Sequence, residues 1–111
     1  LIIKLIAASL TLLFGIWAVA APEKVMSLIG MAATGPRGIT EARVALGAIY
    51  IGLGAYCLWT RTPAAFATLG AAYCVMATVR LISIFADGSA DTSNWASLAV
   101  EALCGLVLLV L

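Results

Sequence analysis

Four long apolar runs, separated by short polar segments, dominate the chain. The first extends from about Leu1 to Ala21 and is interrupted only by Lys4 and Gly15. About 20 helical residues at 1.5 Å each cover a hydrocarbon core of roughly 30 Å, so this run is long enough to span a bilayer. Lys4 can snorkel to the near surface, and Trp17 suits the far interface. Pro22 opens a short segment reaching Met31. Val25, Met26, Leu28 and Ile29 form its apolar side, with Glu23, Lys24 and Ser27 elsewhere, which is the pattern of a brief interfacial helix. Gly30, Gly35, Pro36 and Gly38 then mark a loop.

The second span is expected from Ile39 or Thr40 to Trp59, with Thr40 as N-cap and Glu41 at the positive end of the helix dipole. Thr62 followed by Pro63 is a helix start signal, which places the third span over Pro63–Phe85, closed by Asp87 and Gly88. After a polar loop from Ser89 to Ser93, the fourth span runs from about Asn94 to Leu111, with Trp95 at the interface. Its 18 residues are at the short end for a span, so a C-terminus extending further is expected. The start at Leu1, not methionine, points to preceding residues or a count that begins late. A cleaved signal peptide is not expected, because the first run is long enough to span and ends in nothing resembling a cleavage site.

The expected fold is therefore all-α: one transmembrane four-helix bundle over residues 1–111, with spans near 1–21, 39–59, 63–85 and 94–111. A short interfacial helix separates spans one and two. Spans two to four are rich in small residues, among them Gly47, Gly52 and Gly54, then Gly70, then Ser97 and Gly105. Small residues let membrane helices approach closely. Span one is bulkier and more uniformly apolar, so it is expected to face lipid or a partner. No internal repeat is evident. Loop charges give a tie under the positive-inside rule, with Lys4 and Arg61 on one side and Lys24 and Arg37 on the other.

Composition strengthens this picture. Of 111 residues, 65% are hydrophobic and 10% charged, and the mean hydropathy is +1.19. A soluble domain this short could not bury so much apolar surface, so lipid is the solvent. The net charge of +1 gives no reason to expect nucleic acid. The absence of histidine removes the usual haem ligand, the commonest metal ligand and the commonest general base, so no cofactor and no enzymatic activity are expected. Cys57, Cys74 and Cys104 stand alone in apolar runs and read as small buried hydrophobes.

Four charges fall inside or at the edge of the spans: Glu41, Arg43, Arg80 and Glu101. With helices alternating in direction, Arg43, Arg80 and Glu101 lie about 5, 8 and 10 Å below one and the same membrane surface. A mid-span charge costs at least about 2.5–3.5 kcal/mol, so such residues usually turn inward and pair. Arg43 shares a face with Gly47, Tyr50 and Gly54, Glu101 lies between Ser97 and Gly105, and Arg80 follows Tyr73 and Ala77. Glu101 is expected to pair with Arg80 or with Arg43, and Glu41 to take the other arginine. The layer serves either as an ionic clasp fixing helix register or as a polar cavity for a head group, quinone or proton. Tyr50 and Tyr73 are candidate cavity hydroxyls, with core filling as their alternative role.

Glu41-Ala42-Arg43 entering a Gly-rich helix, Arg80-Leu81 with Asp87-Gly88 beyond, and Glu101 in a last helix resemble a family of small four-helix bacterial membrane proteins. That family carries a domain-of-unknown-function label and is akin to the DoxX-like proteins; Ala48 stands here where it often has a second glycine. The resemblance implies the topology, a bacterial inner-membrane location and importance of the charged residues. It also implies an association with quinone-linked redox assemblies seen in some relatives. Two functions follow as expectations. The first is an accessory or structural subunit of a larger membrane complex, respiratory or photosynthetic, with other membrane subunits as partners. The second is a homo-oligomeric transporter or a binder of a lipid, quinone or other lipophile. The small multidrug transporters resemble this chain in size, but they place their essential glutamate in the first helix, which here has no acid.

Overall fold

The structure, a computed structural model, describes all residues 1–111 and is entirely helical. Five helices follow in order: α1 (Ile2–Ala20), α2 (Pro22–Leu28), α3 (Pro36–Thr60), α4 (Pro63–Ala86) and α5 (Thr92–Val110). All but α2 are long and apolar enough to cross a membrane, at 19, 25, 24 and 19 residues. Large apolar side chains such as Ile6, Leu10 and Leu13 of α1, Val75 and Ile82 of α4, and Leu103 and Leu106 of α5 are exposed. In water that surface would be untenable; in a bilayer it is the lipid-facing side. The protein is a small multi-span membrane protein.

The helix ends are built from local chemistry. Thr62 caps α4 by accepting from the Ala65 amide at 3.2 Å, with Pro63 in the first turn, as the sequence predicts. At the other end Gly88 adopts φ +65° and the Ser89 amide reaches back to the Ile84 carbonyl at 3.0 Å. Gly30, at φ +79°, closes α2 in the same way, with Met31 N–H donating to Met26 O and Gly30 N–H to Ser27 O. The helix therefore ends at Leu28, short of the expected Met31. Val25 and Met26 are buried, whereas Leu28 and Ile29 are exposed, so only half of the expected apolar side packs inward.

Two starts differ from expectation. Helix α3 begins at Pro36, with Gly35 as its N-cap residue. Thr40 is internal, and its hydroxyl donates to the Pro36 carbonyl, four residues back, at 3.3 Å. Helix α5 begins at Thr92 because the Asp91 carboxylate accepts from the Asn94 amide at 2.7 Å. Residues Arg43–Ala48 of α3 form a π turn, one residue wider than the α-helix around them.

The chain forms two compact units. In residues Ala8–Thr60, α1 buries Ala8, Thr11, Gly15 and Ala18, a narrow seam at helical spacing. The facing glycines of α3 leave no room for a side chain. A Cβ on Gly54 would lie 2.8 Å from Leu12 N, and one on Gly47 2.5 Å from Val19 Cγ2. The bulky residues of span one point outward, as expected of a helix that faces lipid or a partner, while its few small ones carry the contact with α3. The Tyr50 ring packs edge-on against Phe14 in the same unit.

The second unit, Leu1–Ala7 with Arg61–Leu111, is built on an antiparallel pairing of α4 and α5. Gly70 meets Leu108 and Leu109, and Gly105 meets Cys74, each at distances a Cβ would violate. Phe66, Leu69, Ile84 and Leu108 fill the interior. Lys4 places its ammonium 5.8 Å from the centroid of the Phe66 ring. Across the chain, Cys57 is buried, Cys74 and Cys104 are half-buried, and none of the three is in a disulfide.

Candidate functional site: an arginine–glutamate clasp inside a helical hairpin

Two of the four intramembrane charges, Glu41 and Arg43, belong to one compact unit and two, Arg80 and Glu101, to the other. Arg80 and Glu101 meet in the α4–α5 hairpin as a bidentate pair: Nε donates to Oε1 and Nη2 to Oε2, both at 2.7 Å. The two planes match as guanidinium and carboxylate do in the strongest ion pairs. Glu101 is nearly closed off, with 7% of its side chain exposed, whereas Arg80 retains 32%. The remaining Arg80 branch donates through Nη1 to Asn94 Oδ1 at 2.9 Å. Asn94 in turn donates through Nδ2 to the carbonyl and hydroxyl of Ser89, both at 3.0 Å. No buried side-chain nitrogen or oxygen in the protein lacks a hydrogen-bond partner.

The arrangement follows from sequence spacing. Asn94 and Glu101 are seven residues apart, hence on one face of α5, and Gly105 on the same face lets α4 approach until the pair closes. The network spans from the middle of α5 to the turn. It ties the hairpin at three levels: Glu101 to Arg80, Arg80 to Asn94, and Asn94 to Ser89.

Glu41 and Arg43 serve elsewhere. Glu41 accepts from Arg37 Nε at 3.1 Å, one helical turn away and exposed, and not from Arg43. The expected pairing fails because the helix begins at Pro36 and so contains Arg37 four residues before Glu41. Arg43 meets no acid. Its Nε donates to the Val19 carbonyl at 3.1 Å, one of the last carbonyls of α1, where the helix has no amide of its own to offer and the dipole favours a cation.

Beside the clasp lies an open cleft of about 480 Å³. Val75 and Val79 form its apolar wall, Ser83 and Asp87 its polar end, and Arg80 and Glu101 lie between them. Neither Tyr50 nor Tyr73 lines this cleft. The partners that sequence reasoning missed are Asn94 and Ser89. The seven-residue interval from Asn94 to Glu101 was the signal available for the first.

Residues 1–111 match the family model described as Domain of unknown function (DUF4345). The chain belongs to that family. Its membership covers the whole chain and agrees with the unknown-function label the motifs suggested, together with four candidate spans. No curated protein and no solved structure matches it. What can be said of this DUF4345 protein's chemistry therefore comes from its own residues. No group of three or more acidic or cysteine side chains is placed to hold a metal ion. The clasp offers a carboxylate held through both oxygens and a guanidinium that donates from all three of its nitrogens.

Proposed function

We propose that this protein is a small, non-catalytic accessory subunit of a larger membrane complex, of respiratory or photosynthetic type, in a bacterial inner membrane. The observation that supports this reading is the closed state of the clasp. Both Glu101 oxygens are held by the Arg80 guanidinium, so the most deeply placed acid is committed to holding α4 against α5. A proton-handling acid would need a state in which it is released. Two of the three connections between spans are also short, Arg61–Thr62 and Asp87–Asp91, and the third, residues 21–35, holds only the short helix α2. Buried ionic contacts of this kind fix register and orientation, which an assembly component requires of its surfaces.

Extraction from native membranes in mild detergent tests the proposal, with the native size measured and co-migrating chains identified by mass spectrometry. Stoichiometric migration with larger subunits is expected; a free monomer or dimer overturns the accessory-subunit reading.

A second reading, that the protein binds a lipid, quinone or related lipophile, is favoured by the cleft. It is lined by Val75, Met76 and Val79 on its apolar side and by the half-exposed Arg80 side chain.

A further inference from the structure

The unit Ala8–Thr60 carries five charged side chains, and one of them is left over. Glu41 is paired with Arg37, and Glu23 and Lys24 stand side by side on α2 with opposite signs. Arg43 pairs with no acid: its Nε donates to the Val19 carbonyl, while Nη1 and Nη2 donate to no protein group. The negative end of α1 offsets only about half of a unit charge, so a net positive charge remains at this spot. The close seam between α1 and α3 brings the guanidinium there. Gly47, one turn deeper than Arg43, is so near α1 that a Cβ would lie 2.5 Å from Val19 Cγ2, and the Arg43 stem crosses to the last turn of α1.

The level of this contact indicates what answers the charge. Val19 is the penultimate residue of α1, and Pro22 then turns the chain into α2, so the guanidinium lies where the span ends and head groups begin. The Arg43 side chain is exposed, as are Ile16 and Val19 on α1 and Val44 on α3. A phosphodiester presents two charged oxygens that match the planar fork of two guanidinium nitrogens. We propose that Arg43 is the head-group site for an anionic phospholipid of the glycerol type. The phosphate accepts from Nη1 and Nη2, and the acyl chains lie against Ile16, Val19 and Val44. A choline lipid presents the same phosphate but brings a cation of its own, which leaves the Arg43 charge unanswered. The site goes beyond the accessory-subunit reading and shares no residue with the cleft beside Arg80.

The test is native mass spectrometry of the full chain in mild detergent, supplied with equal amounts of phosphatidylglycerol and phosphatidylcholine with identical acyl chains. The glycerol adduct is expected to exceed the choline adduct about fivefold, the ratio given by one basic side chain at an anionic surface. Arg43→Gln should bring the two to parity. Lys24→Gln, which removes the same net charge from the same unit, should leave the preference in place. Arg43→Lys keeps the charge and a donor for Val19 but loses the fork, and should lower the preference without abolishing it. Parity in the unaltered protein, equal loss in Arg43→Gln and Lys24→Gln, or an undiminished preference in Arg43→Lys overturns the assignment. Inorganic phosphate at the lipid concentration should displace nothing, because the acyl chains hold the lipid; displacement overturns the lipid as ligand. Parity combined with a larger subunit that co-migrates with the parent and is lost from Arg43→Gln gives the guanidinium to a partner's carboxylate. That outcome overturns the lipid site and upholds the accessory-subunit reading.

Discussion

Replacing Arg80 by leucine removes both donors to the Glu101 carboxylate and leaves that group enclosed, with 7% of its side chain exposed. Breaking a buried pair from one side typically costs about 3–5 kcal/mol, because the surviving charge is stranded. Glu101→Leu strands the other partner less severely. Arg80 is a third exposed, keeps its bond to Asn94, and can turn its head outward, so a loss of about 1–3 kcal/mol is expected. The double replacement by leucine removes both charges, and apolar substitutes of similar volume are often neutral or stabilising. Its stability should return to within about 1 kcal/mol of the parent, giving a coupling energy of at least about 2 kcal/mol. Reversible unfolding in mixed micelles, followed by far-ultraviolet circular dichroism against the mole fraction of denaturing detergent, measures all four forms of the cycle. Single replacements that change stability by less than about 0.5 kcal/mol, or a cycle without coupling, would refute the clasp.

Three further outcomes are expected in the same assay. Gly54→Ala should cost about 1–3 kcal/mol, since its Cβ meets the α1 backbone, whereas Gly52→Ala, with nothing within 4 Å, should be neutral or stabilising by up to about 1 kcal/mol. Arg61 holds φ at 51° without being glycine, and Arg61→Gly should raise stability by up to about 1 kcal/mol. Asp91→Ala removes the α5 cap and should cost about 1 kcal/mol, while Asp91→Asn should retain most of it.

The spans and the α4 start were legible because they depend on local chemistry: unbroken apolar length, Thr62 before Pro63, Gly88 after the helix. The α3 start carried the same proline signal, but Pro36 sits among three glycines and reads as loop. That one misplacement hid Arg37 from Glu41 and made Thr40 look like a cap. The partner of Glu101 was narrowed to two arginines; only tertiary register selects Arg80, and register depends on where Gly70 and Gly105 cross. The seam on α1 was missed because four small residues were outweighed by the leucines and isoleucines around them, although their spacing was present. The π turn at Arg43–Ala48 has no signal in one sequence, since a single extra residue changes neither composition nor polarity.

The Arg80–Glu101 pair also has an electrical consequence. A lone fixed charge that moves across the full bilayer works against about 2.3 kcal/mol for every 100 mV of membrane potential. Joined through two contacts of 2.7 Å, the two charges cancel over a distance far shorter than the span, so the hairpin carries almost no gating charge. As built, α4 and α5 are insulated from the voltage across their membrane. Cutting one partner would turn the same hairpin into a body that the field can pull.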